Sequence, residues 1–524
     1  MKNPLLTLSL IFTVLAPIQA ADFDLIIRNG KVIDGSGSPA VRGDIAISRG
    51  RITAVGKVSG SATTEIDAAG LVVAPGFIDV HTHAEDIVKE PRGENFVRMG
   101  VTSIVLGNCG MSKVNLGAFF HQLEAMKFSP NVASLIGHGD VRSQAMGGSF
   151  SRPPTDAEIA TMQSLIEQAM RDGAVGMSTG LIYLPGTFAT TEELITMAKI
   201  VAAHDGIYAS HMRNEGNLIR SALDELFRIA RETGIRAEVS HLKISSKKLW
   251  GQAESVLAAL DAARAEGLRI THDQYVYPAS STGLSQMIPD EAREGGIERY
   301  KERLADPVQK AAIVAEMKKK LSSAERTSYD YAVIASCKVD RSIEGLNIPA
   351  VAKKLRGSDD LDAQIEVILD LHLRGGASAV YFSMDERDLE RFLRDPHTMF
   401  ASDSGVRIPG EGVPHPRGNG NNARVLASYV REKQLIPIEE AIRKMTSLPA
   451  TTFALEDRGV VRAGAWADLV VFDPAKVQDH ATFTDPHHFA TGFAHVFVNG
   501  VEVVKADAHT EARPGVILRH HSPQ

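Results

Sequence analysis

Between residues 76 and 405 the chain returns eight times to one arrangement: a short apolar run, one or two polar residues, then text of helical periodicity. The apolar runs are 76–83, 103–110, 132–139, 175–181, 206–212, 236–242, 269–275 and 399–405. Stretches such as "TDAEIATMQSLIEQAMRDG" and "NLIRSALDELFRIARETG" lie between them. Strands that are apolar along their whole length are covered on both faces. Eight of them alternating with helices predict a parallel (β/α)8 barrel rather than an open sheet.

The text on either side has another texture. "DLIIRNGKVIDGSG", "GDIAISRGRITAVG" and "ATTEIDAAGLVVAPG" near the start, and "ADLVVFDP" and "HVFVNGVEVVKA" near the end, are β-type runs broken by Gly and Asn turns. Residues 21–72 and 455–524 are expected to build one small β-sandwich together, with the barrel at 73–454. Residues 278–398 are too many for one strand-to-helix connection, and their helical text predicts an inserted subdomain between strands seven and eight, over the barrel mouth.

Residues 1–20, "MKNPLLTLSLIFTVLAPIQA", carry an early Lys, an apolar run and small residues at the end, the layout of a secretory signal peptide. The expectation is an exported protein, periplasmic in a Gram-negative source, with no stable membrane insertion after cleavage. The Ile18-x-Ala20 cleavage pattern is imperfect, which leaves a retained N-terminal anchor open. A net charge of −7 gives no nucleic-acid footprint, which needs clustered excess Lys and Arg.

The polar residues that end the strands carry the chemistry. Strand one ends in "HTH", His81 and His83, which share a face because side chains two apart in an extended chain point the same way. Strand two ends near Cys109, strand five in His211, strand six in His241 and strand eight in Asp403. In a (β/α)8 barrel these ends converge on one rim, so six potential metal ligands meet there. Cys109 and Cys337 are the two cysteines; a disulfide between them is the structural alternative to Cys109 as a thiolate ligand.

H-x-H, a later His, another His and a final Asp, in the blocks "PGFIDVHTH", "GVTSIVLGNCG", "SHMRNEG", "SHLK", "DQYVYPASSTGL", "ASDSG" and "HPRGNGNNARVLASYVRE", resemble the amidohydrolase superfamily, and within it the N-acyl-D-amino-acid deacylases. The resemblance runs from about residue 23 to the C-terminus. It implies a zinc-dependent hydrolase of N-acyl-D-amino acids in which Asp403 is general base and acid. Cys109, His211 and His241 would hold a tightly bound zinc, and His81, His83 and Asp403 a weaker second position. Many relatives in the superfamily bridge two metals with a carboxylated lysine at strand four. The run "AVGMSTGLIYLPG" offers none, and Lys199 lies on the following helix.

For the small-molecule substrate, Lys243 lies two residues past His241 and shares its face, and Arg417 resembles the family's carboxylate clamp. Tyr183 and one of Tyr275 or Tyr277 would add hydroxyl donors, and of the latter two we assign Tyr277. Arg213, Glu215 and His138 fall close to the rim in sequence. A dipeptidase acting on D- or isoaspartyl peptides and an exported non-catalytic binding protein are the competing readings; the presence of Asp403 beside the ligands speaks against the second.

Overall fold

A computed structural model describes residues 21–520; the expected signal peptide at 1–20 lies outside the described residues. Eight parallel barrel strands occur in the expected order: Phe77–Asp79, Val101–Leu106, Asn131–Ser134, Gly176–Gly180, Ile207–His211, Arg236–Val239, Ile270–Gln274 and Thr398–Phe400. The third strand is shared out at Leu135. Asn131–Ser134 pairs with the second strand, while Ile136–Gly137 pairs with the fourth. From the fourth strand the ladder runs in chain order to the eighth. The ring is joined where Asp403 N donates to His81 O at 2.9 Å and His83 N to Ser404 O at 2.9 Å.

Helices cover the barrel because their apolar faces have nowhere else to go. Asp156–Asp172 buries Met162, Ile166, Ala169 and Met170 on one stripe. It starts in a capping box, where Thr155 and Glu158 bond each other's main-chain N–H groups, and it ends at Gly173 with φ 107°, a left-handed stop that suits glycine. Ile219–Thr233 buries Leu223, Leu226, Phe227 and Ala230 in the same way and stops at Gly234.

Both chain ends enter a single nine-stranded sheet. Hydrogen bonding runs through all nine strands, so the expected small β-sandwich is built from one continuous, branched sheet. Its branch is Phe23–Val32, which pairs with Val41–Ser48 on one side and with both Ala62–Asp67 and Val72–Pro75 on the other. A β-bulge near Gly30 separates the two halves of that strand.

The insert has its own apolar core, including Met317, Leu321, Ile334, Ile348, Val351, Ile365 and Ile368. Its antiparallel sheet orders Ser280–Gly283, Ser378–Tyr381 and Ala332–Ser336. The insert, expected over about 278–398, does not include the last helix of that stretch. Helix Glu386–Arg394 buries Leu389, Phe392 and Leu393 in the barrel's core, so it is the barrel's own seventh helix. Among the described residues no helix is long and apolar enough to cross a membrane.

Sheet and barrel are locked by one buried charge. Asp468 pairs with the buried Arg458, accepts from Asn131 Nδ2 of the third barrel strand at 3.2 Å, and accepts from Asn499 N at 2.7 Å. Removing the carboxylate leaves Arg458 charged and buried without its partner. Asp468→Ala should therefore lower the unfolding free energy by about 3–5 kcal/mol, measured by denaturant unfolding; an unchanged midpoint would show that the lock contributes nothing.

Candidate active site

The rim at the C-terminal ends of the strands carries the polar cluster, and several of its members sit just past the last ladder bond. Cys109, His241 and Asp403 have φ of 54°, 38° and 49°, a left-handed conformation that side chains other than glycine adopt rarely. The turn at Cys109 can exist because glycines pass close beside it. A Cβ on Gly180 would lie 2.1 Å from Cys109 O, and one on Gly137 would lie 2.6 Å from Gly110 O.

Cys109 Sγ is the centre of the group. It lies 3.3 Å from His81 Nε2, 3.6 Å from His241 Nε2 and 3.7 Å from His211 Nδ1. Asp403 Oδ1 is 3.2 Å from His83 Nε2 and 3.7 Å from His81 Nε2. Two donor sets emerge around the shared sulfur: Cys109 with His211 and His241, and Cys109 with His81 and His83, Asp403 standing beside the second. A zinc ion bonded to sulfur at ~2.3 Å and nitrogen at ~2.0–2.1 Å in a tetrahedron holds those atoms about 3.5 Å apart. The observed separations of 3.6 and 3.7 Å fit one ion held by Cys109, His211 and His241. Burial alone would push the Cys109 thiol up, but the imidazoles of His81, His211 and His241 hold it well below the ordinary thiol range, as a ligand thiolate requires. Cys109 and Cys337 are both free and buried, which excludes the disulfide alternative in this structure.

Carboxylates orient the ring nitrogens that face away from the sulfur. His81 Nδ1 donates to Asp273 Oδ2 at 3.0 Å, and His241 Nδ1 lies 3.0 Å from Glu215 Oε1. Desolvation would raise the carboxyl of the half-buried Glu215, yet Lys243, His211 and His241 around it hold it well below the usual range. Asp403 is held low as well: burial opposes this, but Arg417, His81 and His83 outweigh it, so Asp403 is a charged carboxylate.

A cavity of about 360 Å3 opens over the cluster, lined by His83, Tyr183, His211, His241, Lys243, Tyr275, Asp403 and Arg417. The insert's first strand supplies Ser280, Ser281 and Thr282 to the same wall. Arg417 Nη1 lies 2.8 Å from Asp403 Oδ2, and its guanidinium stacks 4.4 Å over the Tyr275 ring. Arg417 Nε is buried without a hydrogen-bond partner, a donor left for a ligand. Lys243 Nζ is 2.5 Å from Glu215 Oε1 and 2.9 Å from His241 O, and the Tyr183 hydroxyl shares a 3.0 Å hydrogen bond with Thr282 Oγ1.

A family model described as amidohydrolase matches residues 121–504. D-Aminoacylase of Alcaligenes xylosoxydans xylosoxydans is 37% identical over 521 residues, 95% of this chain and 97% of the relative. The chain belongs to the amidohydrolase family, among the N-acyl-D-amino-acid deacylases. A crystal structure of D-aminoacylase superposes on this deacylase-family chain with a TM-score of 0.81 at 35% identity, covering 95% of this chain and 100% of that one. N-acyl-D-glutamate deacylase from Bordetella bronchiseptica, solved with zinc and a phosphonate mimic of the tetrahedral intermediate, gives 0.80 at 35% identity over 95% and 99%. The protein is a metal-dependent amidohydrolase.

One expectation is corrected. Tyr277 does not line the cavity: the ladder of strand seven stops at Gln274, so the alternation that would carry Tyr275 and Tyr277 to one face ends there. Its ring packs on His415 and Phe483, and its hydroxyl donates to Asp479 at 3.5 Å; Tyr275 is the residue at the cavity. His138 is buried against Glu193 and Arg142, away from the cavity wall. Arg213 pairs with Glu225 and holds the main chain of Thr187 and Ala189. Asp273 and Glu238 were missed. The signal was available, since Asp273 is a charge near the end of the seventh apolar run and Glu238 is a charge inside the sixth.

Cys109→Ser replaces the one atom common to both donor sets by a weaker ligand. Purified variant should contain almost no metal by elemental analysis, whereas Cys337→Ser should retain the wild-type content. Wild-type metal content in Cys109→Ser would remove the sulfur from the centre.

Proposed function

We propose that this protein hydrolyses the amide bond of N-acyl-D-amino acids, releasing a carboxylate and a free D-amino acid, with zinc as its metal and with export directed by residues 1–20. The observation that carries the reading is the position of Arg417 and Asp403, an ion pair 2.8 Å apart on the wall of the cavity that also exposes His211 and His241. A carboxylate-gripping guanidinium and a charged general base thus stand beside the donor group.

Cys109, His211 and His241 would hold the zinc, with His81, His83 and Asp403 as a second position, and when bound it would supply Lewis acidity toward a water and an amide carbonyl. The remaining work falls to side chains. Arg417 receives the substrate's α-carboxylate through its unpaired Nε and through Nη2, which the structure holds only by a long 3.5 Å bond to Ser281 O, a planar fork matched to two carboxylate oxygens. Lys243 adds a second cation at the cavity floor, where Glu215 keeps its ammonium in place. Tyr183, fixed by Thr282, offers a hydroxyl toward the acyl side. Asp403, kept ionised by its cationic neighbours, takes the proton of the attacking water and returns it to the leaving nitrogen.

The stereochemical preference follows from two anchors. With the carboxylate on Arg417 and the scissile amide over the Cys109, His211 and His241 cluster, inverting the α-carbon would swing the side chain into a different wall, and one enantiomer would meet a clash the other avoids. The names of the relatives support the D form. The dipeptidase alternative gains no specific observation here.

The deciding experiment is a panel of N-acetyl-D-amino acids, their L counterparts, carboxyl-amidated analogues and dipeptides, assayed for released amine with the zinc-loaded enzyme. Turnover should be confined to the D series with a free carboxylate. Equal rates on L or amidated substrates would overturn the reading. Asp403→Asn should lower kcat by roughly a hundredfold or more, the scale of a lost general acid–base. Arg417→Ala should weaken both kcat and KM, because a loosened α-carbon misplaces the amide as well.

A further inference from the structure

Asp273 stands behind the donor group and does not line the cavity, yet it touches both halves of it. Its side chain is 1% exposed. One carboxylate oxygen, Oδ2, accepts from the His81 ring at 3.0 Å. The other, Oδ1, accepts from the main-chain N–H of His241 at 3.0 Å, and the Asp273 carbonyl accepts from Leu242 N at 2.9 Å. A single carboxylate on the seventh strand therefore holds an imidazole at the end of the first and the main chain at the end of the sixth.

Each bond has a separate consequence. With Nδ1 bonded to Asp273, the His81 ring is turned so that Nε2 faces the space shared with Cys109 Sγ and Asp403. His241, at φ 38°, needs its left-handed main chain held in place, and the bond from its own N–H to Asp273 does so. Glu238 lies alongside; burial and the Asp273 charge push its carboxyl well above the usual range.

We propose that Asp273 is a positioning residue that sets both donor groups at once, fixing the ring orientation of His81 and the backbone of His241, so that the two metal positions are coupled through one carboxylate. It rests on the metal-centre reading and not on the identity of the substrate.

The test uses the full-length protein, with Asp273→Ala and Asp273→Asn beside the wild type. Zinc bound at excess metal, and zinc retained against a graded chelator, report the two positions. Cobalt reconstitution reports geometry through the ligand-field and thiolate-to-cobalt absorption bands. In Asp273→Ala the His81 position should empty, affinity at the other should fall about 10–100-fold, and the cobalt bands should shift. Asp273→Asn should fall between, since its amide oxygen can keep one of the two bonds. Thermal unfolding of the metal-free proteins is measured in parallel. A purely structural residue would lower the metal-free melting temperature while leaving zinc stoichiometry, affinity and the cobalt spectrum unchanged, and that result overturns the proposal. Should the alanine variant fail to fold, the same unchanged metal readouts in Asp273→Asn would overturn it alone. No substrate enters these measurements, so their failure is distinguishable from failure of the deacylase assignment.

Discussion

The hydrogen bonds from Asp403 N to His81 O and from His83 N to Ser404 O join the eighth barrel strand to the first through the residues whose side chains meet in the cavity. The same short segments therefore serve barrel closure and the site. The H-x-H pair and the final aspartate lie far apart in sequence, and no local preference could bring His83 Nε2 within 3.2 Å of Asp403. The ring of strands does so as a by-product of satisfying its own main chain. Such a cluster is also sensitive to register, because a shift of one residue would turn these side chains to the other face.

Closure alone would not aim the ligands. Cys109, His241 and Asp403 all leave their strands in a left-handed conformation, each costing roughly 1–3 kcal/mol where nothing compensates. Their surroundings supply the compensation. Gly180 and Gly137 let the Cys109 turn approach the neighbouring strands, Asp273 holds the His241 N–H, and the His81 carbonyl holds Asp403 N. The strain sits where the side chains must leave the strand direction and converge, which an extended backbone does not permit.

The sequence made the metal-site candidates legible because each is a polar residue at the end of an apolar run, where burial rules make polarity conspicuous. His81, His83, Cys109, His211, His241 and Asp403 all have this form, and all six gather in the structure. Legibility fades wherever the answer depends on how far a strand continues. Tyr275 and Tyr277 are equivalent as text; only the end of the ladder at Gln274 separates them. The end of the insert is blurred for a similar reason, since the helix Glu386–Arg394 reads alike whether its apolar face meets the insert or the barrel. Asp273 stayed hidden because its role is in its partners, His81 and His241, neither of which is near it in the chain.

Electrostatics then bind these pieces into a working unit. A thiolate and three carboxylates, those of Asp403, Glu215 and Asp273, are packed with four imidazoles, Lys243 and Arg417 in a volume from which most water is excluded. Removing one partner from such a set leaves a buried charge exposed to its opposites' absence, so single substitutions here should be costly out of proportion to the contact deleted. The same packing gives the arrangement its selectivity. A sulfur among imidazoles suits a borderline-soft cation, Asp273 and Glu215 lie behind the rings of His81 and His241, and the guanidinium across the cavity leaves an N–H donor unmatched. On the proposed reading, a ligand's own carboxylate would satisfy that donor, whereas an amide nitrogen in its place would bring no acceptor to it.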